Sequence, residues 1–169
     1  MSDAEGRVIG IRLRLQSGRK LAVTGGREGI FAPADLAGTS PLLICEGPTD
    51  TAAMLDLGFG ALGRPSCVGG ARFLVKAMRR TLPRAVAILA DADPPGQRGA
   101  DRLAGALAAY CPIVRVVTPP EGIKDGRDWK NAGATHSDVL DAIEASALTK
   151  LSIVVRPTGR HGLERGTHG

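Results

Sequence analysis

Residues 85–93 read AVAILADAD, which is six apolar residues followed by an aspartate, an alanine and a second aspartate. An apolar run of this length without alternation predicts a strand that is buried on both faces, as in a parallel sheet. Successive side chains of an extended chain point in opposite directions, so Asp91 and Asp93 should leave the strand end on the same side. We therefore expect a buried sheet with a pair of carboxylates at its carboxyl edge.

The segments around this strand repeat the same layout. Residues 42–45 read LLIC and precede Glu46, and residues 113–117 form another apolar strand. Strands that alternate with helices make βαβ units, which predicts a small Rossmann-like parallel α/β sheet flanked by helices. Capping residues, glycines and prolines suggest four helices and one more strand. The first two helices should run from Thr49 or Asp50 to Leu57 and from Ala71 to Leu82, and the strand should lie at Phe59–Leu62. The other two helices should run from the Pro94–Gly99 break to about Tyr110 and from His136 or Ser137 onward.

The regions that flank this core have a different character. Residues 8–15 alternate apolar and polar or basic positions, and residues 21–23 follow a turn, so residues 1–41 are expected to form an N-terminal β-hairpin and a linker. Residues 42–147 should form the α/β domain. Residues 148–169 are expected to be a basic, flexible tail because few apolar residues are left after Val155.

The net charge of +5 lies entirely outside the α/β core. Residues 1–41 hold six basic and four acidic residues, residues 148–169 hold four and one, and the core holds twelve of each. Half of the acidic residues of the core belong to the carboxylate cluster described below, so the rest of the core is basic. This layout is typical of a protein that attracts a polyanion.

Composition also excludes several classes of protein. The three cysteines form no CxxC pair, which argues against a disulfide framework and against a zinc ribbon. The N-terminus does not resemble a signal peptide, and no apolar run reaches the length of a membrane span, so we expect a cytoplasmic protein without a membrane partner. Only 3% of the residues are aromatic, which disfavours recognition of single strands by a stacking platform.

Six carboxylates follow the apolar strands of the core. Ligands of open parallel sheets bind outside the carboxyl ends of the strands, where these residues should converge. Such a cluster repels itself unless a cation neutralises it, and hard oxygen ligands suit Mg²⁺ or Mn²⁺ together with substrate phosphates. The six are Glu46, Asp50, Asp91, Asp93, Asp125 and Asp128. Asp50 alone could be a helix cap and Asp125 or Asp128 an ordinary loop acid, whereas the two aspartates after the central strand favour a functional role.

Two of these segments, EGPTD at residues 46–50 and DAD at residues 91–93 with Gly96, resemble the Toprim domain. This domain is shared by bacterial-type primases, type IA and type II topoisomerases, and some nucleases and recombination proteins. The resemblance covers residues 42–147. KD at residues 124–125, followed by Asp128, is similar to the further acidic motif of primase-type members.

The resemblance implies a role for each acidic residue. Glu46 would act as a general acid or base on the nucleotide oxygen, and Asp91 and Asp93 would hold Mg²⁺ or Mn²⁺. Asp50 would assist through the metal or water, together with either Asp125 or Asp128. Phosphoryl transfer needs neutralised phosphates and a placed proton acceptor more than it needs a covalent group, which agrees with these roles.

Basic and glycine residues near the predicted site are candidates for contacts with phosphates. The loop GRPSCVGG at residues 63–70 precedes a helix whose N-terminal amides could bind phosphate, although a plain βα turn fits equally well. Lys76, Arg79 and Arg80 follow this loop at helical spacing, and we expect them to lie on a solvated helix face rather than to contact phosphates. For Trp129 we favour a loop anchor. The candidates for phosphate contacts are Arg64, Gly69, Gly70, Lys76, Arg79, Arg80 and Lys124.

The resemblance implies a primase-like nucleotidyltransferase that binds DNA, RNA and nucleotides and synthesises initiator RNA. The short chain suggests a fragment or a subunit that needs a zinc-binding or helicase partner in another chain. A small metal-dependent nuclease and a non-catalytic module that binds metal or nucleic acid are the alternatives. The single tyrosine, Tyr110, is predicted to lie away from the site, which disfavours a self-contained topoisomerase.

Overall fold

The computed structural model describes residues 1–36 and 40–151 of the chain. The described part contains six strands and five helices. The strands are β1 (Arg12–Arg14), β2 (Lys20–Ala22), β3 (Leu42–Glu46), β4 (Ala61–Arg64), β5 (Ala85–Leu89) and β6 (Ile113–Val117). The helices are α1 (Gly47–Asp56), α2 (Ala71–Thr81), α3 (Pro94–Leu107), α4 (Gly126–Asn131) and α5 (His136–Ala145).

Four of the strands form a parallel sheet in the order β4-β3-β5-β6, which confirms the predicted fold class. Both faces of the sheet are covered by helices. On one face, Ile44 and Ile88 pack in a core with residues of α2 and α3. On the other, Leu43 and Ala87 pack with residues of α1, α4 and α5. Each fully buried large aliphatic side chain in these layers contributes about 1.5–3 kcal/mol.

Helix α1 begins earlier than the sequence suggests. It starts at Gly47, directly after β3, so neither Thr49 nor Asp50 caps it and that prediction was wrong. The turn is possible because Gly47 has a φ of +83°, which side chains disfavour, and because Pro48 fits the first turn of a helix. The consequence is that Asp50 lies within the helix and its carboxylate is free to point toward the sheet edge.

Other boundaries also differ from the prediction. β4 runs from Ala61 to Arg64, later than the predicted strand, because the Phe59 amide still donates to the Met54 carbonyl oxygen of α1 at 3.1 Å. The Phe59 ring packs in the core and stacks on His136 at 4.1 Å between ring centroids. Helix α4 lies in a segment predicted to be a polar loop. Its Trp129 is buried in the core beside α1, as expected for an anchor.

The N-terminal segment forms the predicted hairpin, although its strands are only three residues long. Leu13 pairs with Leu21, but the apolar Ile11 and Leu13 are 53% and 46% exposed, so the strand is less buried than the alternation suggested. An isolated two-stranded ribbon offers little surface for burial. The segment reaches the sheet through Phe31, which exchanges two backbone hydrogen bonds of 2.7 Å with Gly63 of β4.

The other edge of the sheet is extended by the segment after α5. The Thr149 amide donates to the Val114 carbonyl oxygen at 2.8 Å, and Leu148 bridges to Arg115 of β6. Residues 152–169 of the predicted flexible tail lie outside the described residues, as do residues 37–39 of the predicted linker. None of the helices in the described part is both long and apolar enough to cross a bilayer.

Candidate functional site

The candidate functional edge of the sheet lies at the carboxyl ends of β3 and β5. The chain passes from β3 outward to β4 on one side and then returns to β5 on the other side, so the strand order reverses between β3 and β5. Open α/β sheets bind ligands in the crevice at such a reversal. Glu46 is the last residue of β3, and Asp91 follows β5 by two residues.

Asp50 and Asp125 are brought together by the packing of α1 against α4. Both residues are 7% exposed, although their side chains are carboxylates. The amide of Arg127 donates to Asp50 Oδ1 at 3.0 Å, and the Asp125 side chain lies close enough to raise the pKa of Asp50. Asp125 caps α4 by accepting a 2.9 Å hydrogen bond from the Asp128 amide. These two carboxylates are therefore buried next to each other.

Asp91 and Asp93 occupy the loop between β5 and α3. Asp93 is exposed and caps α3 by accepting a 2.7 Å hydrogen bond from the Gly96 amide. A Cβ atom at position 96 would lie 2.9 Å from the Asp91 Cβ, so only glycine lets the first turn of α3 approach Asp91 this closely. The Ala92 amide donates to the Lys124 carbonyl oxygen at 2.8 Å, which ties this loop to the one after β6.

The carboxylates of the edge repel one another. The pKa of Asp91 is raised to about 7, first by burial and then by the charges of Glu46, Asp50, Asp125 and Asp93. Burial and the neighbouring Asp125 raise the pKa of Asp50 to about 6, against the effect of the hydrogen bond from the Arg127 amide. Five of the six predicted carboxylates therefore interact at this edge. A bound cation would relieve the repulsion.

Asp128 is the acid that stands apart. Its side chain is 41% exposed and pairs with the Arg127 guanidinium at 3.3 Å. The same guanidinium lies 3.7 Å from Asp125 Oδ2. Of the two alternatives that the sequence left open, the geometry favours Asp125 as the acid that joins the cluster.

The donor set of this edge fits a hard divalent cation. Within residues 1–36 and 40–151, no group of three or more His, Cys, Asp or Glu side chains is arranged so that it could hold a metal ion. Mg²⁺ does not need three protein ligands, because it keeps several waters and uses one or two carboxylates alongside substrate phosphates. Asp91 supplies carboxylate oxygens for such an ion, and Asp50 and Asp125 lie nearby. A cation bound there would offset the repulsion among these three carboxylates. When bound, the ion would neutralise phosphate charge.

The repulsion predicts an unusual dependence of stability on pH. Because the pKa of Asp91 is about 7 in the fold and 3.8 ordinarily, the folded chain binds more protons than the unfolded chain between these values. The free energy of unfolding should therefore decrease as pH rises from about 4 to 7. Allowing for solvent screening of a half-buried group, we expect a loss of about 1 kcal/mol. This corresponds to about 2–4 °C in melting temperature.

Thermal melts of the metal-free protein between pH 5 and 8 would check this prediction, with Asp91→Asn and Asp101→Asn compared in parallel. Asp101 is an exposed acid on α3. The pH dependence should be weaker in Asp91→Asn and unchanged in Asp101→Asn, and Mg²⁺ should restore stability at the high end of the range. A melting temperature that rises steadily with pH in the wild-type protein would refute the proposed repulsion.

The cations of α2 contact other parts of the protein. Lys76 Nζ and Arg80 Nη1 lie 2.8 and 3.3 Å from the Glu5 carboxylate of the N-terminal segment. The Arg79 guanidinium lies 5.5 Å from the centre of the Tyr110 ring. These pairings hold the N-terminal segment and the end of α3 against α2. A role for these three cations in binding phosphates stays a prediction.

The loop before α2 is likewise engaged within the protein. The Gly70 amide donates to Glu28 Oε1 at 2.9 Å, and the Gly69 amide donates to Ser66 Oγ at 3.0 Å. A carboxylate of the chain thus lies where the sequence suggested that a phosphate could bind. Lys124 is exposed beside Asp125, and its contact with phosphate also stays a prediction.

Two arginines acquire roles that sequence reasoning missed. Arg127 lies between Asp125 and Asp128, and its amide and guanidinium contact the acidic cluster. Its position between two acids in DGRD, residues 125–128, was the available signal. Arg64 was predicted to contact phosphate, but its side chain is 2% exposed and lies beside Glu46. The register of two neighbouring strands creates this contact, and the sequence does not reveal that register.

Several solved structures that are similar to this chain in fold are catalytic cores of DNA primases. The DnaG catalytic core aligns over 86% of this chain and 51% of its own length, with a TM-score of 0.68 and 21% identity. The E. coli primase catalytic core aligns over 86% of this chain and 50% of its own length, with a TM-score of 0.66 and 21% identity. The DnaG primase catalytic domain bound to single-stranded DNA aligns over 86% of this chain and 50% of its own length, with a TM-score of 0.65 and 18% identity.

The chain therefore spans about half the length of these structures. No protein-family profile and no curated protein matches its sequence. The comparison establishes a primase-type fold.

Proposed function

We propose that this chain is a primase-like Toprim protein that catalyses nucleotidyl transfer on nucleic acid with Mg²⁺ or Mn²⁺. The observation that supports the proposal most strongly is the self-repelling edge, where Asp50, Asp91 and Asp125 interact beside Glu46. A protein that did not bind a cation or a substrate there would gain little from burying these acids together. Strain of this kind is typical of functional sites.

In this proposal the residues of the edge have separate tasks. Asp91 would hold the metal ion, with the charges of Asp50 and Asp125 beside it, and the ion would neutralise the charge of the phosphates. Glu46 lies at the end of the neighbouring strand, with its side chain 24% exposed, and accepts or donates the proton of the reacting hydroxyl. Asp93, whose role as a metal ligand stays a prediction, fixes the start of α3 and thereby the position of Asp91.

The rest of the charge layout supports a polyanionic substrate. Outside the six site carboxylates, basic residues of the core outnumber acidic ones, and residues 1–41 are also basic. Such a distribution steers nucleic acid toward the protein by long-range attraction that weakens with salt. We expect DNA, RNA and nucleotides as partners, and a zinc-binding or helicase partner in another chain.

Incubation with single-stranded DNA templates, ribonucleotides and Mg²⁺ or Mn²⁺ tests the proposal. New oligoribonucleotides that depend on metal and template would support it. Shortened template or RNA would instead indicate a metal-dependent nuclease. Binding of nucleic acid without either product, both alone and with added primase-type zinc-binding protein, would indicate a non-catalytic module and contradict the proposal.

A further inference from the structure

Arg64 is a cation buried at the functional edge without a full set of partners. Its side chain is 2% exposed. Nη1 donates to the Cys67 carbonyl oxygen at 2.8 Å, whereas Nε and Nη2 have no hydrogen-bond partner among the described residues. Removing a guanidinium from water costs several kcal/mol unless its N–H groups are paired. A buried group that lacks partners calls for a functional explanation.

The charge that Arg64 faces is the carboxylate of Glu46. Parallel pairing sets Glu46, the last residue of β3, beside Arg64, the last residue of β4. Arg64 Nη2 lies 3.9 Å from Glu46 Oε2. This oxygen is also buried and lacks a hydrogen-bond partner in the part of the chain that the structure describes. The two groups form an ion pair at a distance longer than a hydrogen bond.

The surroundings make this pair important for the placement of Glu46. On the side of β5, the negative charges of Glu46 and Asp91 repel each other. On the side of β4, Arg64 attracts Glu46, and the hydrogen bond to Cys67 fixes the guanidinium in its position. The carboxylate of Glu46 is thus held between a repelling and an attracting neighbour.

We propose that Arg64 is a positioning residue that holds the Glu46 carboxylate at the sheet edge for proton transfer. This inference rests on the proposed function, because it assigns Glu46 the role of acid or base. Arg64 acts through Glu46 and not on the substrate, since its Nε and Nη2 atoms are buried and Nη1 is engaged by the protein. A lysine at this position would supply the positive charge but could not reproduce the planar, forked N–H donors of the guanidinium.

The test compares Arg64→Met, Arg64→Lys and a control, Arg102→Met, in a template-directed synthesis assay. Arg102 is an exposed cation on α3 that lines the same cavity of about 230 Å³ as Arg64. We expect Arg64→Met to lower kcat by about 10²-fold, the effect of a misplaced catalytic group. The KM for the nucleotide should stay within about twofold, a small change on the free-energy scale. Arg64→Lys should recover part of the loss, and Arg102→Met should resemble the wild type.

A double variant shows whether Arg64 acts through Glu46. In a Glu46→Gln background, Arg64→Met should cause little further loss of kcat, because the group that it positions is already gone. A raised KM with unchanged kcat would show that Arg64 contacts the substrate directly. An equal loss of kcat in both backgrounds would show a general structural role. Either result would overturn the proposal.

The ion pair can be tested even if the chain makes no product. Melting temperatures of the wild type, Arg64→Met, Glu46→Gln and the double variant form a cycle that reports coupling between the two side chains. We expect Arg64→Met to lower the melting temperature less in the Glu46→Gln background than in the wild type. Additive changes would overturn the positioning role. Absence of product from the wild type, even with added zinc-binding protein, would instead count against the proposed function.

Discussion

Asp91→Asn is expected to abolish metal-dependent product formation while making the metal-free protein more stable. An amide is a neutral and weaker ligand for Mg²⁺, so we expect the rate to fall by about 10³-fold. The same change removes one of the charges that repel one another at the edge, so the melting temperature should rise by about 2–4 °C. Stability gained at the expense of activity is typical of residues placed for function.

Rate assays, calorimetric titration with Mn²⁺ and thermal melts of the same preparation would check both parts of this prediction. Asp101→Asn is the matched control, since it removes an exposed aspartate of α3 outside the cluster. It should leave metal affinity and rate unchanged. Wild-type affinity for Mn²⁺ in Asp91→Asn would rule out the assignment of Asp91 as a ligand.

Glu46→Gln is expected to slow product formation, without abolishing it, for a different reason. Glutamine has nearly the same shape as glutamate but cannot accept the proton of the reacting hydroxyl, so we expect the rate to fall by about 10²–10⁴-fold. Metal affinity should stay within about twofold, because the ligands near Asp91 are intact. The comparison of the two variants therefore separates proton transfer from metal binding.

The measurements are the rate of nucleotide incorporation and the Mn²⁺ affinity of each variant. Glu144→Gln, which changes an exposed glutamate of α5, is the control. If Glu46→Gln lost metal binding together with activity, Glu46 would be a ligand. If it retained wild-type activity, the proposed acid or base would have to be another residue.

The sheet and its carboxylates could be predicted because they follow from local sequence. The run at residues 85–90 is too apolar for any position but a buried strand, and DAD at residues 91–93 directly follows it. In a parallel sheet, the carboxyl ends of all strands lie at the same edge. Local sequence therefore predicted that the acids at the ends of β3 and β5 would approach one another, but it did not distinguish Asp125 from Asp128.

Other features depend on contacts between distant segments. Helix α4 has only six residues and no apolar period, so its formation depends on the cap at Asp125 and on the burial of Trp129. The start of α1 at Gly47 depends on a backbone conformation that the sequence only permits. The pairing of Arg64 with Glu46 depends on the register of β4 against β3, which no local pattern encodes.

The most direct test of the central claim is to locate a metal ion on the protein by paramagnetic broadening. Mn²⁺ would be titrated into ¹⁵N-labelled wild-type protein at pH 7.5 or above, where the Asp91 carboxyl is largely ionised. We predict that the amide signals of the non-proline residues in 46–50, 91–96 and 125–128 broaden first and that Mg²⁺ in excess restores them. Signals of α5 should change little. Broadening that is uniform, or that centres on α5, would contradict the assignment of this edge as a metal site.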